Sequence, residues 1–426
     1  MSTGNILAAA ITGVAVGAVA AYTAAHGLTY PPRRRNDGPV KSEFLEYSVI
    51  YTDRAVNLMA PSFSKKMRSI SSALKSAYNA DETVIIPGSG TYGMEAVAMC
   101  YGKGKKCLVI RNGYFSYRWS DIMTVSKIPS EPETILLARP KDAAEAMPQL
   151  LPCPASEVCA RIRSEKPAVV FMPHVETSTG MLMSDEYILE VANATHDVGG
   201  IFVLDAIAAG TVWCDMKATN VDIVISAPQK GWTGPACCGL VMMNNNAVAK
   251  MKDNADHLSK ESVSFCCNLQ QWYNVMQAYE DGGFKYYTTL PTDALLDFAA
   301  VIEDAQAFGL DRAKDKMFEL GNKVRKELAQ RGFKSVAAPE VAAPGVVVVY
   351  SPISGMVGKL KGVGIQVAGG VPWKLGEENY VKGDPNPKTN CFRIGLFGLD
   401  KIKDVDTTVS KFFKGLDQVI QSESKL

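Results

Sequence analysis

Histidine is scarce in this 426-residue chain: there are four, too few and too scattered to build a histidine-based metal centre. Cysteine is not scarce, but the ten cysteines fall at no CxxC spacing; adjacent pairs occur at Cys237-Cys238 and Cys266-Cys267. That pattern argues against a zinc site and against a disulfide framework, and it favours a reducing compartment. No metal is expected. An excess of either charge is also missing, since 45 basic side chains face 44 acidic ones. A near-neutral chain offers no basic surface for nucleic acid. There is no internal repeat. What the chain does have is an apolar fraction of 47%, ample for one large domain and a smaller one.

Residues 6–25 carry no charged side chain and are long enough to span a membrane, but alanine and glycine dominate them. This segment fits a membrane anchor, a processed leader or a disordered tail. If it inserts, Arg33, Arg34 and Arg35 behind it put the body of the protein on the cytosolic face. The chain is therefore divided into an apolar segment and linker over 1–38, a large domain over 39–305 and a smaller C-terminal α+β domain over 306–426. The last three residues, Ser424-Lys425-Leu426, match a peroxisomal import signal, so the peroxisome is the expected location and the membrane anchor the alternative.

Within the body, a helical pattern runs from Lys41 to Tyr78 with breaks expected at Pro61 and Ser62. Short apolar runs then alternate with helical stretches: Thr83-Ile86, Cys107-Ile110, Ala168-Met172, Gly200-Leu204 and the run from Val221 to Ile225. Strands that are apolar throughout, separated by helices, predict an α/β fold with a mainly parallel sheet covered on both faces. In such sheets ligands gather beyond the carboxyl ends of the strands. A single helical stretch is expected from Thr292 to Arg331, followed by strands at Gly345-Tyr350 and Cys391-Leu396 and a helix from Val405 to Val419.

The residues at those carboxyl ends share a chemistry. After the first run, Pro87-Gly88-Ser89-Gly90-Thr91 leads into a helix, where free N–H groups, the helix dipole and two hydroxyls suit an anion. After the second comes an aromatic cluster that includes Phe115, fit either for core packing or for stacking on a planar ligand. The fourth ends on Asp205, which is expensive to bury without a cationic partner; a helix N-cap is the competing role. The fifth delivers Lys230 into a turn broken by Gly231, Gly234 and Gly239. A lysine held rigidly and partly desolvated is what a Schiff-base enzyme requires, although a solvated surface lysine would look the same in isolation.

Taken together, these residues resemble the class V branch of fold-type I pyridoxal-phosphate enzymes, from about Tyr47 to the C-terminus. The nearest relatives in pattern are alanine:glyoxylate and 2-aminoethylphosphonate:pyruvate aminotransferases. The resemblance implies a seven-stranded-type sheet and pyridoxal phosphate as cofactor, with Lys230 forming the covalent link. It also implies that Ser89, Gly90, Thr91 and Gln229 hold the phosphate, that Phe115 stacks on the ring, that Thr177 lies near its 3-hydroxyl side, and that Asp205 pairs with the ring nitrogen. Arg393 stands as the carboxylate-binding arginine; a strand-edge ion pair is the other role open to it. Tyr286 and Thr289 stand as residues that reach the phosphate in a neighbouring subunit, which implies a homodimer with shared sites.

Two departures bear on substrate. Phe115 occupies a position where alanine:glyoxylate enzymes commonly carry Trp, and Ala206 to Ala209 lack the serine usual after the aspartate. The expected reaction is ping-pong transfer of an amino group from alanine or serine to glyoxylate or pyruvate. The alternatives are transfer from 2-aminoethylphosphonate, a lyase of the same fold, disfavoured because Gln229 rather than histidine precedes the lysine, and a catalytically idle scaffold. Arg118, Trp373 and Lys374 are candidates for substrate discrimination.

Overall fold

The structure, a computed structural model, describes residues 47–48, 55–258, 264–376 and 390–423. The apolar 6–25 segment, the linker after it and Ser424-Lys425-Leu426 lie outside the described residues. By their contacts Leu58–Leu426 form one unit and Met1–Asn57 another; all that follows concerns the first. Among the described residues no helix is long and apolar enough to cross a membrane.

In chain order the elements are α1 Pro61–Tyr78, β1 Glu82–Pro87, α2 Gly90–Gly102, β2 Cys107–Arg111, α3 Tyr114–Val125, β3 Thr134–Leu137, α4 Ala155–Glu165, β4 Val169–Pro173, α5 Asp185–Asp197, β5 Ile201–Asp205, β6 Ile223–Ser226 and β7 Cys238–Met243. They are followed by α6 Asn245–Leu258, α7 Leu269–Glu280, α8 Thr292–Phe308, α9 Leu310–Gln330, β8 Val346–Tyr350, α10 Met356–Gly362, β9 Ala368–Gly369, β10 Cys391–Gly395, α11 Leu399–Ile402 and α12 Val405–Glu423.

The seven strands β1 to β7 make one sheet in the order β1-β7-β6-β5-β4-β2-β3. Strands β6, β5, β4, β2 and β3 run parallel to one another, and β7 is antiparallel to both β1 and β6. Every residue of β4, β5 and β6 is buried, as expected for strands covered on both faces. Each buried Val, Ile or Leu there contributes about 1.5–3 kcal/mol, which keeps the strand ends fixed. Since β1 and β6 both lie antiparallel to β7, the carboxyl ends of β1, β2, β4, β5 and β6 open on the same edge. A second, antiparallel sheet of three strands, β8-β10-β9, packs with α9 and α12 around its own core, which includes Met317, Leu320, Val347, Phe392 and Leu416.

Several local expectations are corrected. Pro61 does not break a helix but starts one: it lacks an N–H, which costs nothing at a helix's first position. From there Phe63, Met67, Ile70, Leu74 and Tyr78 recur every three or four residues and are buried. The stretch from Thr292 to Arg331 is two helices, because Gly309 takes φ 94° between them. Strands β3 and β7 were not foreseen; Gly239, expected in a turn, lies inside β7 opposite Ile86.

Close backbone approach explains two glycines around Lys230. A Cβ on Gly231 would stand 1.8 Å from the carbonyl oxygen of Gly210, and one on Gly239 would stand 2.8 Å from that of Ser89. Trp232, next after Gly231, is buried with its ring 4.5 Å from that of Trp213, which anchors the loop in the core. We expect Gly231→Ala to force this backbone apart and cost about 1–3 kcal/mol, the usual range for overpacking, measured as a lower denaturation midpoint in urea. Gly358→Ala, where an added Cβ meets nothing within 4 Å, should leave the midpoint unchanged or raise it slightly.

Candidate active site

Five strand ends converge on one cavity of about 190 Å³, lined by Ser89, Gly90 and Thr91 after β1, Phe115 and Arg118 after β2, Val175 and Thr177 after β4, Asp205 with Ile207 and Ala208 after β5, Gln229 and Lys230 after β6, and Met94 from α2. Nine residues singled out in the sequence thus meet here: Ser89, Gly90, Thr91, Phe115, Arg118, Thr177, Asp205, Gln229 and Lys230. Tyr286 and Thr289, both exposed, are not among the lining residues, and neither are Trp373 and Lys374. Arg393 is not among the lining residues but sits beside them, with its guanidinium carbon 5.5 Å from the centre of the Phe115 ring.

At the β1 end, Ser89 is the N-cap of α2 but makes no side-chain cap, so the first N–H groups of this 13-residue helix have no intrahelical acceptor. The Oε1 atom of Gln229 is buried with no hydrogen-bond partner. Gly90 admits the approach of Ile207, whose Cδ1 would lie 2.6 Å from an added Cβ.

Asp205 is buried, and burial pushes its carboxyl up to about 7, with the Glu176 charge adding to the rise. One oxygen accepts the N–H of Ile207 at 3.0 Å, and no helix follows, so the residue closes a turn rather than capping a helix. Lys230 is half-buried and also displaced, in the opposite direction: desolvation lowers its amine most, and the charges of Arg393 and Arg118 lower it further. Opposed shifts of an acid and an amine in one cavity mark a site where burial is tolerated for its chemistry.

The two arginines approach one ring. Arg118 also has its guanidinium carbon 5.5 Å from the Phe115 centre, and its Nη1 donates to Oγ1 of Thr91 at 3.2 Å. On β10, Arg393 donates through Nε to the carbonyl of Gly369 at 2.9 Å, and among the described residues no carboxylate pairs with it.

Glu176 went unnoticed in the sequence. It is wholly buried, and its two oxygens accept five hydrogen bonds: the N–H groups of Phe115, Ser116 and Ser178 at 3.1, 2.8 and 3.0 Å, and the hydroxyls of Ser116 and Ser178, both at 2.7 Å. A carboxylate so placed at the start of α3 satisfies the helix's orphan donors and fixes the backbone that carries Phe115. The only signal in the sequence is an acid followed by threonine and serine shortly after an apolar run.

Comparisons with known proteins point the same way. A family model described as aminotransferase class V matches residues 40–356. The 2-aminoethylphosphonate–pyruvate transaminase of Klebsiella pneumoniae is 26% identical over 336 residues, covering 76% of this chain and 80% of that protein. Its counterpart in Salmonella typhimurium is 24% identical over 345 residues, covering 78% and 83%. Among solved structures, alanine–glyoxylate aminotransferase from Nostoc superposes with a TM-score of 0.69 at 20% identity, over 86% of this chain and 89% of that one. Ureidoglycine–glyoxylate aminotransferase from Bacillus subtilis also gives 0.69, at 17% identity and over 86% and 87%. Both share the fold, that of the fold-type I enzymes.

The residues present fit the cofactor this family uses. A helix start without a side-chain cap suits a phosphate, a buried carboxylate without a cation suits a ring N–H, and a desolvated lysine suits an aldehyde. The chain belongs to the aminotransferase class-V family and is a pyridoxal-phosphate-dependent aminotransferase.

Proposed function

We propose that this enzyme moves an amino group from a small amino acid, alanine or serine, to a small 2-oxo acid, glyoxylate or pyruvate, in two half-reactions that share the cavity around Lys230. The observation that carries this reading is the pairing of a desolvated amine with a buried carboxylate beside two guanidinium groups.

Pyridoxal phosphate, when bound, supplies an aldehyde for the amine to join and a ring that draws electrons from the substrate carbon. The work of the chain's own residues follows from their chemistry. The start of α2, with Ser89, Gly90, Thr91 and Gln229, would hold the phosphate; Phe115 would lie against the ring and Thr177 on its 3-hydroxyl side. Asp205 offers a carboxylate to the ring nitrogen. Alone it prefers its proton up to a pH of about 7, and a cationic N–H beside it returns it to the charged form. Lys230 removes the proton from the substrate Cα and, in the second half-reaction, gives one back to the corresponding carbon of the product. Its lowered pKa keeps a larger share of the amine neutral for that task. Arg393 grips the substrate's acid group through parallel charged hydrogen bonds, each worth about 1.5–3 kcal/mol, and so sets the direction of the Cα–H bond.

Tyr286 and Thr289, exposed and outside the cavity of their own chain, suit contact with the phosphate in a second copy. On this reading the enzyme is a homodimer with shared sites. A second donor is favoured by the names of the relatives: 2-aminoethylphosphonate with pyruvate as acceptor. Arg118 supports it by offering a second guanidinium near the substrate's acid group.

A screen of alanine, serine and 2-aminoethylphosphonate against glyoxylate and pyruvate, read as 2-oxo acid formed, tests the assignment; the first reading expects alanine or serine to be used at least as well as the phosphonate. Lys230→Ala should reduce turnover by at least about 100-fold with every pair, and Arg393→Gln should raise KM more than it lowers kcat. Asp205 gives a pH signature. An acid whose folded pKa lies near 7, above its ordinary carboxylate value, holds its proton longer when folded than when unfolded. The cofactor-free protein therefore loses stability as pH rises from about 4 to about 7. Thermal melts across this range should show that slope in the cofactor-free wild type, and should show it flattened both in Asp205→Asn and after cofactor loading.

A further inference from the structure

A cavity larger than the one around Lys230 lies apart from it. It holds about 620 Å³ between α9, the segment leading into β8, and Leu182 and Ser184, and none of the residues around Lys230 lines it. Its walls are largely apolar, with Phe318 and Phe333 prominent.

Two basic residues of α9, Arg325 and Lys326, face it. Arg325 is the odd one. Its Nη2 donates to the carbonyls of Ala343 and of Val346, the latter at 3.1 Å, while its Nε is buried with no partner at all. No carboxylate pairs with it or with Lys326 among the described residues. Burial lowers the Arg325 guanidinium to about 10, so it remains charged at neutral pH. The other charges in the wall are already spent: Lys141 holds Glu340 at 2.8 Å, and Glu145 holds Lys334. A half-buried guanidinium whose Nε has no acceptor and whose Nη2 meets only backbone carbonyls leaves part of its desolvation cost uncompensated, and the usual compensation is an anion.

We propose that this cavity binds a small organic anion, a carboxylate or phosphate carried on an apolar body, with Arg325 as the anchor and Lys326 as the second charge. The volume lies within the range of ordinary small-molecule sites of roughly 300–1,000 Å³, and the mixture of aromatic walls with one convergent cation matches that chemistry. The proposal is independent of the substrate assignment, because no residue is shared with the site around Lys230.

Benzoate and phenyl phosphate are suitable probes, with benzylamine as the cationic control. Titration calorimetry on the cofactor-loaded enzyme should show saturable binding of both anions and none of benzylamine. Since the site around Lys230 also holds arginines, the background is Arg393→Gln, in which binding should persist. Arg325→Gln in that background should weaken binding by roughly tenfold or more, the loss expected of a charged hydrogen-bonding anchor. Should that variant fail to fold, the exposed Lys326→Gln decides, with an expected weakening of a few-fold. No saturable binding in the wild type, binding abolished by Arg393→Gln, or affinity unchanged by both Arg325→Gln and Lys326→Gln would each overturn the proposal.

Discussion

A half-buried amine and a buried carboxylate share one small cavity, and everything else in the molecule follows from the cost of keeping them there. Left to itself, either group would turn to solvent or find an ion-pair partner; here Asp205 is driven towards its neutral form and Lys230 towards its own. Only a rigid frame can sustain that. The frame is the central part of the sheet, where β4, β5 and β6 are buried along their whole length and cannot shift without exposing apolar surface.

Around this pair, the chain spends its irregular features on approach and orientation. Gly231 lets the backbone behind Lys230 pass against Gly210, and Trp232 locks that loop into the core. Glu176 collects five donors so that Phe115 stands at a fixed edge of the cavity, with Arg118 and Arg393 both near its ring. Neither arginine is tied to a carboxylate among the described residues, so their positive charge acts on Lys230 and remains available to an acid substrate.

Much of this was legible in the sequence, for a definite reason. Strands such as Ile201–Asp205 are apolar from end to end, and a polar residue at the end of such a run has nowhere to be except at the sheet's edge. That is why Asp205 and Lys230 stand out in the sequence alone. What was hidden depended on partners far along the chain. Glu176 gains its role from Phe115 and Ser116, some sixty positions away. Strand β7 was obscured by Gly239, which reads as a turn until Ser89 is seen pressing against it. Proline both ends helices and begins them, and at Pro61 only the buried face that follows decides which. The lone guanidinium of Arg325 gave no sign at all, since α9 looks like any charged amphipathic helix.

The most direct test of the central claim is chemical. The protein loaded with pyridoxal phosphate should be reduced with borohydride and digested, and the peptides weighed. The account predicts a pyridoxyl group on the peptide containing Lys230 and on no other; label on a different lysine, or none, would contradict it.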